Sequence, residues 1–370
     1  MLHSKKLIRI LLLCLALSVL LYSVMFFYKQ PSWVHLEQIS LHTQVLLHWQ
    51  APRNKQKVLK QQTDSILTYF DSVFSENQPI HPFYRLARCT APCTVDLNGA
   101  VRELWEYIES HPAISPQGPF SPLARAWLEY HGLLENTGSW GGKKPRDSVQ
   151  HYKHLSLLGQ RWSQTGSQSF WIYQSGKLIS LVDSLQLTLG SCSKGYAVRG
   201  LARYLDAQGI QNYLVAAAGD MQFKGLSYKE KPWVIGVKHP RKGTSGYKPD
   251  AGSALLGIYT AHNPFRRGFS TSGDYERYVL INQKRIHHLI DMRTGLPQGD
   301  KWSLSISAQD ALEADLLASL LFIYPVDSLA QLVQKVGADP NTKPQLLYMD
   351  SSEVLYVSEG LRKDWTSQIH

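Results

Sequence analysis

The feature that most limits how this chain can be arranged is an uncharged run at residues 10–28, preceded by Lys5, Lys6 and Arg9. A helix needs about 20 apolar residues to cross the hydrocarbon core of a bilayer, so the run nearly suffices. Basic residues ahead of a span hold the N-terminus in the cytoplasm and send the remainder of the chain across. The expectation is an uncleaved transmembrane helix in residues 1–30, with the body, residues 31–370, on the extracytoplasmic (periplasmic) side of the inner membrane. Two other readings stay open. A cleaved signal peptide ends its apolar region in small residues, whereas Val24, Met25, Phe26 and Phe27 prolong it here. Lipid attachment at Cys14 needs a small residue before the cysteine, and Leu13 is not small.

The body has ample apolar content for a packed core, in one large domain or two intimate ones. A net charge of +10 attracts polyanions. The basic residues are scattered and no Lys/Arg run is interleaved with aromatics, so nucleic acid is not an expected partner. Cys89 and Cys93 are close enough in sequence to close a small disulfide outside the cytoplasm, and the chain offers no further ligands at zinc-site spacing. Cys192 reads as a small core or pocket residue.

Periodicity predicts strands at residues 44–49, 170–173, 177–182, 212–218, 345–349 and 354–357. It predicts helices at 57–74, 95–108, 194–205, 310–322 and 328–336, and a hairpin from 275–281 and 285–290 around Asn282-Gln283. Residues 111–122 and 138–145 read as Pro/Gly-rich loops. The pattern is mixed α+β and not a regular βαβ series.

Four segments bring chemistry-bearing side chains. Gly190-Ser191-Cys192-Ser193-Lys194-Gly195 leads small residues into a helix start, where backbone N–H groups can meet a phosphate or simply begin a helix. Ala216 to Asp220 reads as a strand ending in Gly219-Asp220. Residues 270–278 and 287–297 read as polar loops flanking the hairpin; His287 and His288 point to opposite faces of their strand, so at most one lines a given pocket. Asp315 and Ser319, four apart, share a helix face and offer hard oxygen ligands of the kind Mg2+ takes; an Asp near a helix start also suits the helix dipole.

In order and spacing, these segments resemble the FAD:protein FMN transferase (ApbE) family over roughly residues 160–360. The family's D-L-G-G-x-A-K-G-Y-A is met by Thr188-Leu189-Gly190-Ser191 through Lys194-Gly195-Tyr196-Ala197, and its N-x-G-G-D by Ala218-Gly219-Asp220. A-T-S-G-D-Y-x-R is met by residues 270–277, H-I-I-D-P-x-T-G-x-P by 288–297 and A-D-A-x-A-T by 314–319. Upstream, Gly118-Pro119-Phe120-Ser121-Pro122 resembles G-A-F-D-P, and Asp71-Ser72-Val73-Phe74-Ser75 resembles I-D-x-x-F-S.

The resemblance implies a mixed-sheet, T-fold-related domain that takes FAD as substrate, with Mg2+ on its pyrophosphate. Such enzymes transfer FMN to a Ser or Thr hydroxyl of a target protein and release AMP. Carried onto this chain, the metal ligands fall at Ser191, Asp315 and Ser319, and the flavin contacts at Pro119, Phe120, Ser121, Thr188 and Thr271. His288 is the candidate base for the hydroxyl proton, by position and by a pKa near neutrality. Family acceptors are often subunits of membrane redox complexes, which is compatible with a membrane anchor. The chain departs from the motifs at Thr188 and Ser121, both Asp in the family, at Ser319 for Thr, near Asn77 for a pocket Tyr, and at Leu41-His42-Thr43 for M-G-T. Those departures leave two alternatives: an FAD-binding module that does not transfer, and an FAD pyrophosphatase giving FMN and AMP.

Overall fold

The computed structural model describes residues 2–134, 149–241, 255–265, 267–281, 283–336, 339 and 341–368. Eight strands form its main sheet, and they lie side by side in chain order. They are β1 (Pro31–Ser40), β2 (Thr43–Pro52), β3 (Tyr213–Ala217), β4 (Asp220–Lys224), β5 (Gly268–Gly273), β6 (Lys301–Ala308), β7 (Gln345–Asp350) and β8 (Leu355–Val357). Every neighbouring pair is antiparallel. Such a meander needs no crossover, so long excursions can leave between two strands and return. The helices of twelve or more residues are α1 (Leu2–Lys29), α2 (Arg53–Val73), α3 (Gly99–Ser110), α4 (Val149–Thr165), α5 (Ser193–Ala207) and α6 (Ala311–Phe322).

Both faces of the sheet are covered. Val45, Leu47 and Trp49 alternate along β2 and, with Tyr213, Val215 and Ala217 of β3, meet Leu59 and Leu67 of α2 and Val198, Leu201 and Leu205 of α5. On the opposite face Phe223, Phe269, Leu347 and Met349 pack on a three-stranded sheet of Trp233–Lys238, Leu255–Ala261 and Trp365–Ser367. α6 is capped by Asp310, whose side chain accepts the Glu313 N–H at 3.0 Å, and every residue from Ala311 to Phe322 except Glu313 is buried.

Several expectations need correction. Residues 95–108 are not one helix: Cys93–Asp96 is a strand paired with Lys177–Ser180, and α3 begins only at Gly99, whose φ is +50°. Val95 and Leu97 are buried at strand spacing, and the Cys89–Cys93 disulfide forms with its Cα atoms 6.2 Å apart. The polar segment from residue 270 is strand β5 as far as Gly273, because its small hydroxyl residues fit between buried layers. Asp220 does not end a strand; it opens β4. β1 gives no clear period in the sequence because burial along it alternates only weakly. The loop expected at 138–145, and Asn282 of the hairpin turn, lie outside the described residues. α1 covers the expected anchor, yet among the described residues no helix is long and apolar enough to cross a membrane.

Two hairpin turns hold side chains in the left-handed region. Ser40 pairs with Thr43 across Leu41 (φ 53°) and His42 (φ 56°), and Ala217 pairs with Asp220 across Ala218 (φ 53°) and Gly219. Asp71 braces the first turn, accepting the Ser40 hydroxyl at 2.6 Å and the Leu41 N–H. The resembled motifs carry glycine where His42 and Ala218 stand. Left-handed backbone costs an L-residue about 1–2 kcal/mol, and glycine's extra freedom in the unfolded chain cancels about 0.4–1 kcal/mol of any relief. His42→Gly and Ala218→Gly are each expected to raise unfolding free energy by about 0.5–1 kcal/mol. The urea midpoint checks this, and a lower midpoint in either variant would contradict the strain argument.

Candidate active site

The first turn of α5 and the middle of α6 meet at Gly195. A Cβ there would lie 2.5 Å from the Ala311 carbonyl oxygen and 2.6 Å from Asp315 Cβ, so only glycine permits the approach. The contact lets the Gly195 N–H donate to Asp315 Oδ2 at 2.8 Å. One turn along α6, Ser319 Oγ donates to the Ser191 carbonyl oxygen at 3.0 Å. The three expected metal residues are thus brought together, on α6 and on the loop that opens α5. Asp315 and Ser319 are only 3% and 5% exposed, in a helix whose other buried residues are apolar.

Two charges complete the cluster. Lys194 Nζ lies 2.6 Å from Asp220 Oδ2, and Asp220 Oδ1 accepts from Ser270 Oγ at 2.6 Å. Burial, then the Asp220 charge, holds the Asp315 carboxyl well above the ordinary carboxylate range, against the pull of Lys194 and the Gly195 N–H. Burial disfavours charge on Lys194, but Asp220 and Asp315 together outweigh it and keep the ammonium protonated. Burial beside Asp220 thus favours the protonated Asp315, and a divalent cation bound there would supply the positive charge that lets it ionise. Among the described residues no three His, Cys, Asp or Glu side chains cluster as metal ligands. The donors on offer are a carboxylate, a hydroxyl and a backbone carbonyl, hard oxygens that fit Mg2+ and leave positions for water and phosphate.

His288 lies just past the strand Lys284–His287. Its N–H and its Nδ1 both face the Arg277 carbonyl oxygen, at 3.0 and 3.2 Å. A carbonyl only accepts, so this contact assigns the proton to Nδ1 and leaves the Nε2 lone pair free. Burial, then the Arg277 guanidinium, drives the pKa well below the usual 6.5, and the ring is neutral. His287 turns the other way, as expected: it is buried, donates from Nε2 to the Gln298 carbonyl at 3.1 Å and stands edge-on to Phe322. Lys194, Glu276, Arg277 and His288 keep access to solvent although protein surrounds each closely, as side chains lining a deep cleft do. His288 lies near enough to Lys194 for the ammonium to add to the lowering of its pKa.

The expected flavin residues fare differently. Pro119, Phe120 and Ser121 form a buried turn, held where Trp162 Nε1 donates to the Gly118 carbonyl at 2.8 Å and the Met292 N–H to the Pro119 carbonyl at 2.8 Å. Phe120 packs into the core, and the Ser121 hydroxyl accepts its own turn's Leu123 N–H at 3.2 Å. Thr271 also departs from expectation. The strand period turns it to the face away from α6, where its hydroxyl meets Ser305 Oγ at 2.8 Å, and Ser270 faces the cluster instead. Thr188 stays at the cleft edge, its N–H on the Pro122 carbonyl at 2.9 Å and its hydroxyl on Glu76 Oε1 at 3.1 Å. Cys192 is fully buried, and burial pushes its thiol up, so it is inert as expected.

Lys194 and Asp220 stand inside the sequence motifs, yet the motifs alone give them no role; the signal for Asp220 is a carboxylate directly after a tight turn. Glu76 and Arg125 carry no local signal. A separate concavity of about 320 Å³, walled by Trp33, Tyr228 and Trp233 with His35 and His48, holds none of the motif residues.

The ApbE family model matches residues 38–340. The chain is 32% identical over 222 residues to the FAD:protein FMN transferase of Klebsiella pneumoniae (strain 342), covering 58% of this chain and 60% of that protein. It is 30% identical over 195 residues to the FAD:protein FMN transferase of Salmonella typhimurium (strain LT2), covering 52% of this chain and 48% of that protein. It thus spans about half to three-fifths of the length of those relatives. The ApbE protein of Thermotoga maritima superposes with a TM-score of 0.71 at 22% identity, over 90% of this chain and 99% of that one. The flavin transferase ApbE of Vibrio cholerae superposes with a TM-score of 0.70 at 18% identity, over the same shares. These likenesses show a mixed α+β fold of the ApbE type, and with the family model covering most of its length the chain belongs to the ApbE family.

Proposed function

We propose that this chain is an FAD:protein FMN transferase, moving the FMN half of FAD onto a Ser or Thr hydroxyl of a target protein and releasing AMP. One observation carries the reading: the Asp315, Ser319 and Ser191 carbonyl set lies beside Lys194 and Asp220, and His288 is near enough to feel the Lys194 charge. Asp315, Ser319 and the Ser191 carbonyl would hold Mg2+, which when bound supplies charge neutralisation on the pyrophosphate. Lys194 adds a fixed positive charge for the AMP phosphate as it departs. His288 Nε2 takes the proton of the acceptor hydroxyl; that oxygen bonds to the FMN phosphorus while the bridging oxygen leaves with AMP.

The same reading places the enzyme on a membrane. Leu13, Leu17, Leu21, Met25 and Phe26 on α1 are exposed, apolar side chains that suit contact with lipid, and the basic residues ahead of them favour a body on the extracytoplasmic side. The Cys89–Cys93 bond suits an oxidising compartment. Subunits of membrane redox complexes are the acceptors such a position favours.

Asp315→Ala is expected to abolish Mg2+-dependent labelling of an acceptor peptide by FAD, read as in-gel flavin fluorescence; undiminished labelling would sink the metal assignment. His288→Asn is expected to slow transfer by about 10²–10⁴-fold. The pH dependence has a definite sign. The neutral ring is the working base, and its pKa lies below 6.5, so activity holds as pH falls through 6.5 and drops only at the lower value. A pH–rate profile checks this, and a half-maximal point at 6.5 or above would argue against His288 as the base.

A further inference from the structure

Glu76, in the turn after α2, uses both carboxylate oxygens. Oε1 accepts the Leu189 N–H at 2.6 Å and the Thr188 hydroxyl at 3.1 Å, and Oε2 accepts from Arg125 Nη1 at 2.7 Å. Arg125 Nη2 in turn donates to Asn77 Oδ1 at 2.7 Å. Burial raises the Glu76 pKa, and the Leu189 N–H and Arg125 oppose that rise.

Each partner leads to a different wall of the cleft. The Leu189 carbonyl accepts the N–H groups of Cys192 and Ser193 at 3.1 and 3.0 Å, so the placing of Leu189 sets the loop that presents the Ser191 carbonyl to Ser319. Arg125 belongs to the short helix Ala124–Tyr130, which leaves the Pro119–Ser121 turn directly. The Thr188 N–H on the Pro122 carbonyl joins the same two segments a second time. The resembled motif has a carboxylate at position 188, whereas Thr188 donates to one delivered from the neighbouring turn.

We propose that Glu76 is a positioning residue that clasps the loop opening α5 to the turn at Pro119–Ser121, and so sets the spacing between the phosphate side and the flavin side of the FAD site. The proposal rests on the reading of the chain as an FAD enzyme. Without this carboxylate, a half-buried guanidinium and a backbone N–H lose their acceptor together, and the two walls keep only the Thr188 N–H to Pro122 carbonyl bond. A carboxylate supplied from position 188 stands close enough to take over, but beside Glu76 it adds only like-charge repulsion.

The test compares the full chain with Glu76→Ala, Glu76→Gln, Thr188→Asp and the double variant Glu76→Ala/Thr188→Asp, after thermal melts confirm folding. FAD affinity is titrated by flavin fluorescence with Mg2+ present, and KM and kcat for transfer are measured separately. Glu76→Ala is expected to weaken FAD binding about tenfold and to raise KM for FAD more than it lowers kcat. Glu76→Gln, which keeps an acceptor for Leu189 but loses the charge on Arg125, falls between. Thr188→Asp weakens binding when Glu76 is present and strengthens it when Glu76 is absent. Wild-type affinity in both Glu76 variants, or a double variant no tighter than Glu76→Ala, overturns the clasp. Should the wild type bind FAD but transfer nothing, the titration still reads the clasp and only the transferase reading fails. A wild type that binds no FAD overturns both.

Discussion

At Gly195 two helix backbones come so close that no side chain fits between them, and the site depends on that contact. It delivers an N–H at the start of α5 to a carboxylate in the middle of α6, the most deeply enclosed helix of the body. A carboxylate in such a helix is costly unless it finds donors and countercharge. Here α5 supplies both, through the Gly195 N–H and Lys194. The meander beneath serves this junction: β3 turns at once into β4, and the turn sets Asp220 where Lys194 can reach it.

The charge balance carries the proposal that these residues form a reactive site and not only a tie between helices. Asp220 and Asp315 raise each other's cost of ionising while Lys194 offsets it, and burial leaves little water to screen them. A fold seeking stability alone would replace such a cluster with apolar side chains. Its presence in this body supports the proposed site for a metal and an anionic substrate. On the other wall, the turn at residues 118–122 is fastened through Trp162 and Met292, and Arg125 ties it through Glu76 to the loop that opens α5.

What can be read from the sequence depends on the range of each interaction. α6 is legible because its apolar run and Asp310 cap are local, and Asp315 and Ser319 fall on one face by helical period alone. The side of β5 that Thr271 takes is not legible while the segment reads as a loop; it is set by Phe269, which packs on the outer sheet. Phe120 and Ser121 read as ligand contacts, while the structure spends them on the core and on their own turn. Glu76 is invisible in the sequence: its bonds reach residues 112 and 113 positions away, and no period links such distant groups. The helix expected to begin at Val95 loses its first residues to a strand pairing of the same long-range kind.

The account stands or falls on where the phosphorus goes. Incubating the full chain with FAD, Mg2+ and an acceptor Ser/Thr peptide, and measuring AMP, free FMN and peptide mass together, tests it most directly. The account predicts one AMP for each FMN joined to the peptide, with no free FMN. AMP accompanied by free FMN and unmodified peptide would mark a pyrophosphatase, and bound FAD with no AMP would mark a binding module; either result contradicts it.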